Sequence, residues 1–143
     1  MNLHVLAVGA LALAFGTQVF ARETIHLVEH ADTDTITDIG AKEDSVGDIL
    51  TFANPVFDAA NAKQVATSQG FCVRTTAGKS WECWWTLTLP SGQLTVQGPF
   101  LDKGDSVLAI TGGTGKYATA RGQMKLHSRD DKGSEYDFVY EID

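Results

Sequence analysis

The stretch GFCVRTTAGKSWECWW, residues 70–85, places strand-forming residues on both sides of the turn sequence AGK, residues 77–79. Two such runs around a glycine-containing turn are typical of an antiparallel β-hairpin. Alternate side chains of a strand point to the same face of a sheet. One face of the second strand is apolar, and we expect its residues to lie inside the protein: Trp81, Cys83, Trp85, Leu87 and Leu89.

The register of this hairpin decides the state of the two cysteines. A turn centred on residues 77 and 78 pairs Thr76 with Lys79 and places Cys72 opposite Cys83. Directly opposed residues can form a disulfide. A slip of one residue would separate the thiols, so the sequence leaves a disulfide and two free thiols both open.

Short runs rich in Val, Ile, Thr and aromatic residues recur throughout the chain, separated by turn residues. No long stretch keeps a helical period of apolar residues. Regularly spaced strands predict an all-β sandwich or barrel, and about eight strands suit a closed, eight-stranded antiparallel up-and-down barrel (calycin-like). The predicted strands are 23–31, 48–58, 64–76, 80–89, 92–102, 106–111, 121–130 and 134–142.

The N-terminal segment differs from the rest of the chain. An apolar run at residues 5–15 is followed by Val19-Phe20-Ala21, with small residues where signal peptidase cleaves. The run is shorter than a membrane span. We therefore expect a secretory signal peptide at residues 1–21 and one domain at residues 22–143, secreted or periplasmic. A buried N-terminal helix is the alternative.

The net charge of −7 belongs entirely to residues 22–143. An acidic chain with scattered Lys and Arg is poorly suited to nucleic acid or to an anionic membrane surface. We therefore expect neither as a partner.

Two segments have the composition of metal sites without the required geometry. HLVEH at residues 26–30 fits a zinc-peptidase pattern that needs a helix, whereas the surrounding residues predict a strand. The acidic segment 32–44 lacks the order of an EF-hand loop. We expect a solvated acidic loop there and no metal site.

The segment GGTGKYATARG, residues 112–122, contains G-x-G-x-x-A, the form of a dinucleotide-binding fingerprint. That fold needs a helix after the glycines and further βα units. The chain ends soon afterwards, and residues 121–130 alternate as a strand. We therefore expect a tight connection between two strands.

Several segments resemble the allene oxide cyclase and dirigent protein superfamily: GDILTFANPVFD (47–58), QGFCV (69–73), GQLTVQGPFLDKGDSVLAITGGTGKY (92–117) and ARGQMKL (120–126). The acidic chain with its signal peptide is similar to exported bacterial members. The resemblance implies an eight-stranded antiparallel barrel that steers cyclisation of a fatty-acid epoxide or coupling of phenoxy radicals, without a metal or organic cofactor. It also implies a homo-oligomer, a dimer or a trimer.

The resemblance also implies roles for individual residues. Phe52 matches an aromatic wall residue, Asn54 a water-holding asparagine and Cys72 a cavity cysteine. We therefore take Asn54 and Cys72 as candidate catalytic residues. Trp81 stands where the cyclases have a cavity phenylalanine, and Phe100 replaces a tyrosine of the plant sequence GPYL.

Two further residues complete the candidate site. The family's first-strand glutamate falls on His26 or Glu29, and Glu29 in an apolar cavity would have a raised pKa suited to acid or base catalysis. A solvent-facing Glu29 is the alternative. The inward aromatic face adds Trp85 as a candidate ligand contact.

Three functions remain open on this sequence. The first is a barrel that binds a small hydrophobic or aromatic ligand and steers its reaction. The second is a non-catalytic carrier of such a ligand, which would need no acid or base in the cavity. The third is a structural protein whose interior is completely filled.

Overall fold

The computed structural model describes residues 22–143, and the expected signal peptide lies outside this range. No helix in the described part is long and apolar enough to span a membrane. The described residues form nine strands and one 3₁₀ helix: β1 (Glu23–His30), β2 (Thr35–Thr37), β3 (Ile49–Asp58), β4 (Gln64–Thr76), β5 (Ser80–Leu89), β6 (Gly92–Leu101), β7 (Ser106–Gly113), the helix (Gly115–Tyr117), β8 (Gly122–Ser128) and β9 (Glu135–Ile142).

The strands close into one antiparallel barrel. From β3 to β9 each strand pairs with the next, and β9 pairs with β1. The pairing of β1 with β3 then closes the circle. The predicted eight-stranded up-and-down barrel is therefore confirmed. We call the end at which β1, β4, β6 and β8 finish the upper end.

The short strand β2 is the one strand that was not predicted from the sequence. It pairs with residues 49–51 of β3 inside the segment expected to be a solvated acidic loop. The sequence Thr-Ile-Thr is β-branched, which favours a strand. All three residues are exposed, so no alternation of buried and exposed positions marks the strand in the sequence.

Apolar side chains fill the lower part of the barrel. Four of the five side chains predicted to face inward from β5 are buried, since Trp81, Cys83, Trp85 and Leu87 are each at most 5% exposed. The fifth, Leu89, is partly buried and packs against the core. The largest completely buried side chains come from five different strands: Tyr140, Phe138, Leu87, Leu94, Leu108 and Met124.

Cys72 and Cys83 lie opposite each other in the β4–β5 hairpin and form a disulfide. The expected pairing of Thr76 with Lys79 was wrong in detail, since Thr76 pairs with Ser80 and the register shifts between residues 74 and 76. A bulge absorbs the extra residue before the turn. The register at the cysteines is therefore preserved.

The glycine motif at residues 113–118 packs closely against residues 91–93, where β5 connects to β6. A Cβ atom on Gly113 would lie 2.2 Å from the carbonyl oxygen of Gln93, and Gly115 has a φ of +59°. Both positions therefore favour glycine. The 3₁₀ helix that follows has three residues, far fewer than the helix of a dinucleotide-binding unit.

Replacing both cysteines by alanine tests the contribution of the disulfide. The bond closes a loop with a sequence separation of 11 residues. Restricting a loop of this size in the unfolded chain stabilises a protein by about 3 kcal/mol, and we expect that loss from the free energy of unfolding. Urea unfolding measures it. Reductant should destabilise the natural chain and leave the double variant unchanged, and an equal effect on both would contradict this account.

Candidate functional site

A small cavity lies inside the upper end of the barrel. Its volume is about 30 Å³. A protein cavity that binds benzene measures roughly 150 Å³, so this one has room for about one or two water molecules. The interior is therefore nearly filled but not completely. Ten residues line the cavity: Glu29, Asp34, Leu50, Phe52, Cys72, Trp85, Phe100, Leu126, Tyr136 and Phe138.

Glu29 is the acid inside the cavity. It faces inward from β1, is 5% exposed and accepts a hydrogen bond from the hydroxyl of Ser68. Burial raises the pKa of Glu29 from 4.5 to about 7. The nearby charge of Asp34 also raises this pKa, whereas hydrogen bonds from Ser68 and Asn54 lower it. Both protonation states are therefore populated near neutral pH. Such a carboxyl group can donate or accept a proton.

Asp34 supplies a second carboxyl group from the connection between β1 and β3. The residue is largely exposed, but its carboxyl group lines the cavity, and loss of solvent there raises its pKa. The side chain of Asn54 donates a hydrogen bond of 2.8 Å to Asp34 Oδ1. Asp34 was not predicted from the sequence, because no feature of the acidic segment distinguishes it from its neighbours.

Asn54 has a different place from the one expected. It is 2% exposed, and its side-chain oxygen accepts hydrogen bonds from the backbone N–H of Thr33 at 3.0 Å and from the Thr33 hydroxyl at 2.9 Å. It does not line the cavity. Asn54 therefore attaches the β1–β3 connection to the barrel and positions Asp34.

Five of the ten residues that line the cavity are aromatic. The Phe52 and Trp85 rings meet edge to face with centroids 6.0 Å apart. Trp85 stacks on Phe138 at 5.6 Å, and Phe100 meets Tyr136 edge to face at 5.9 Å. Of the expected contacts, the structure thus brings Phe52, Trp85 and Phe100 together around Glu29.

Two wall residues on the last strand were missed. Tyr136 and Phe138 alternate with polar residues in EYDFVYEI, residues 135–142, and the same inward face continues to Tyr140. That alternation was the signal available in the sequence. The segments that carry the family resemblance end at residue 126, before this strand begins.

An open groove leads to the cavity from outside. It has a volume of about 650 Å³ and lies between the hairpin connections at residues 102–105 and 129–134. Phe100, Leu126 and Tyr136 line both the groove and the cavity. These three side chains therefore stand between solvent and Glu29.

The expected catalytic role of Cys72 is wrong. Cys72 lines the cavity, but its sulfur is bonded to that of Cys83. A disulfide sulfur has no thiol proton to give and cannot form a thiolate. Cys72 therefore contributes apolar surface and a cross-link.

Trp81, an expected ligand contact, is not among the residues that line the cavity. Trp81 is 3% exposed but does not line the cavity, because the guanidinium carbon of Arg74 lies 4.0 Å from the centroid of its ring. Arg74 in turn pairs with Asp44 and Asp102, each at 2.6 Å. This cation–π contact occupies the ring face that a ligand would need.

His26, the alternative to Glu29, points away from the cavity. It is exposed, and its Nε2 lies 2.9 Å from Asp137 Oδ1. His30 stacks on Phe57 with ring centroids 4.2 Å apart. Within residues 22–143, no group of three or more His, Cys, Asp or Glu side chains is arranged to hold a metal ion.

The sequence matches the model of the family described as "Allene oxide cyclase" over residues 24–129. Among solved structures, a pyocyanin demethylase is 25% identical, with a TM-score of 0.71 over 82% of this chain and 100% of that protein. The pterocarpan synthase dirigent protein GePTS1 is 17% identical, with a TM-score of 0.66 over 94% and 96% of the two chains. The Diels-Alderase AbmU from Streptomyces koyangensis is 15% identical, with a TM-score of 0.67 over 89% and 71%. The last two share the fold.

Replacing Glu29 by glutamine tests the burial of the carboxyl group. Because the folded-state pKa of about 7 lies above the unfolded value of 4.5, the natural chain loses stability as the pH rises between these values. The full effect is about 3 kcal/mol. We expect the Glu29→Gln variant to lack this decline, as measured by urea unfolding across the interval. Glu82→Gln, on the outer side of the barrel, should retain it, and parallel curves for Glu29→Gln and the natural chain would contradict the prediction.

Proposed function

The chain belongs to the allene oxide cyclase family, and we propose that it binds a small hydrophobic or aromatic molecule at the upper end of its barrel and steers the cyclisation, isomerisation or coupling of that molecule. The observation that carries this proposal is the position of Glu29. Its buried carboxyl group lies in an aromatic cavity that opens toward a surface groove. A carboxyl group placed in this way can act on a bound molecule.

The names of similar barrels support this class of function. They include pterocarpan synthase dirigent proteins, Diels-Alderases and a cyclase that catalyses a [4 + 2] cycloaddition. The relative at 25% identity is named for the demethylation of pyocyanin. These names describe reactions of small organic molecules.

Glu29 and the aromatic walls would divide the chemistry between them. A protonated Glu29 donates its proton to a basic atom of the ligand, and the ionised form removes one from carbon or oxygen. The rings restrict the ligand to a few conformations and stabilise positive charge that develops during the reaction. The proton returns at the end of an isomerisation, so no redox partner is needed.

The ligand reaches Glu29 through the groove. The cavity is too small for an aromatic ring while Phe100 and Tyr136 keep their positions. Both side chains are half-buried and border the open groove, so they have space to rotate outward. We place the body of the ligand between these two rings, with one end directed at Glu29.

A carrier of the same ligand is the second candidate. The open groove of about 650 Å³ favours it, because a ligand can bind there without reaching the acid in the cavity. The buried acid favours the catalyst, because burying a carboxyl group costs free energy and does not strengthen the binding of apolar molecules. Proton exchange on a bound ketone distinguishes the catalyst from the carrier.

We also place the protein outside the cytoplasm, secreted or periplasmic, after removal of residues 1–21. The disulfide between Cys72 and Cys83 supports this location, because such bonds persist in oxidising compartments.

Hydrogen–deuterium exchange of 2-tetralone tests the acid–base role. This bicyclic ketone has exchangeable protons beside its carbonyl group, and NMR in D₂O follows their loss. Ionised Glu29 would take up such a proton and return a deuteron from solvent, so the protein should accelerate exchange. We expect Glu29→Gln to lose about 10²- to 10⁴-fold of the acceleration, with Glu82→Gln unchanged. Saturable binding without faster exchange would refute the catalytic proposal and support the carrier.

A pair of phenylalanine variants locates the binding site. Phe100 stands at the cavity entrance, whereas Phe71 is 45% exposed on the outer face and stacks on Trp84. Removing a ring that contacts the ligand weakens binding by about tenfold or more. We expect this increase in the Kd of 2-tetralone for Phe100→Ala and none for Phe71→Ala, measured by equilibrium dialysis. An increased Kd for Phe71→Ala with an unchanged Kd for Phe100→Ala would place the binding site on the outer face of the barrel instead.

A further inference from the structure

The cavity at the upper end of the barrel has an unbalanced charge. Two of its ten lining residues, Glu29 and Asp34, carry carboxyl groups. Among the described residues that line it, none is Lys, Arg or His. A ligand that enters therefore meets negative charge and aromatic rings, and no positive side chain.

The negative charge of the cavity also acts on the two tyrosines beside it. The charges of Asp34, Glu29 and Asp130 contribute to raising the pKa of Tyr136 to about 12, after burial of its ring. The phenol of Tyr136 thus lies in a negative field. Tyr140 lies below the cavity beside Trp85, and its pKa is raised mainly by burial and to a smaller extent by the charge of Glu29.

Two arginines near the upper end pair with carboxylates outside the cavity. Arg74 lies over Trp81 and pairs with Asp44 and Asp102. Arg129 lies 3.4 Å from Glu135 and 3.1 Å from Asp137. Neither guanidinium group lines the cavity.

The outer groove does not repeat this charge pattern. It contains three aspartates and three basic residues, namely Asp102, Asp130, Asp131, Lys103, Arg129 and Lys132. Opposite charges in similar number do not select strongly for the charge of a ligand. Any selection by charge therefore takes place at the cavity, behind Phe100 and Tyr136.

We infer that the ligand of this site is a planar heteroaromatic cation, such as an N-alkylated aromatic ring, whose positive end points at Glu29 and Asp34. The flat body lies against Phe100 and Tyr136, whose faces attract a cation through their π-electrons. The space of about 30 Å³ receives the charged end alone. An anionic ligand would bring a third negative charge into a desolvated site and lose its own hydration.

This inference rests on the proposed function and narrows its ligand class. Three probes of similar size and shape separate the effect of charge from that of shape. N-Methylquinolinium is the cation, 1-methylnaphthalene the neutral analogue and 1-naphthoate the anion. Equilibrium dialysis measures the affinity of each for the protein at about pH 8 and about pH 5.5.

At about pH 8 we expect the cation to bind about tenfold more tightly than the neutral probe, and the anion to show no saturable binding. At about pH 5.5 Glu29 is protonated, so the advantage of the cation should shrink while the affinity of 1-methylnaphthalene stays constant. Glu29→Gln should remove this pH dependence. Glu82→Gln, the matched control, should keep it.

Equal affinity for the cation and its neutral analogue, or saturable binding of 1-naphthoate, would overturn the inference. If 2-tetralone still binds and exchanges in that case, the proposed function stands with a neutral ligand. If neither 2-tetralone nor any of the three probes binds, both the inference and the proposed function fail. A pH-independent advantage of the cation would exclude Glu29 as the group that selects it.

Discussion

The pairing of β1 with β3 closes the barrel, and the site depends on how short that pairing is. It contains three residue pairs, and the last joins Glu29 to Val56. Above this point β3 continues with β2 as its partner, because the chain has already left β1 at His30. The sheet thus changes partners where Glu29 faces inward. A carboxyl group can reach the interior there, beside the polar connection between β1 and β3.

Packing divides the barrel into a lower part that stabilises it and an upper part that holds the site. Below Glu29 the interior contains completely buried side chains such as Tyr140, Leu94 and Met124. Above it the contacts are polar, since the side chain of Asn54 donates a hydrogen bond to Asp34. Burying Glu29 costs free energy, and one hydroxyl from Ser68 offsets part of it. The apolar lower part supplies the stability that tolerates this cost.

Arg74 links the upper connections to each other without entering the cavity. Its guanidinium group joins Asp44 of the β1–β3 connection to Asp102 of the β6–β7 hairpin. Within residues 22–143 it belongs to the few buried charged side chains, and it rests on the face of Trp81. A tryptophan expected to contact a ligand therefore supports an ion pair. The same arrangement leaves the cavity with carboxyl groups and no cation.

The eight strands, their meander and the inward face of β5 could be predicted from the sequence, because they follow from local alternation and turn residues. The sequence and its family resemblance named seven candidate site residues, and five of them line the cavity: Glu29, Phe52, Cys72, Trp85 and Phe100. Three features became visible only in the folded barrel: Glu29 rather than His26 faces inward, Arg74 covers Trp81, and Asp34 belongs to the site. Each of these depends on where distant segments meet when the barrel closes, and the alternation along a single strand holds no information about that meeting.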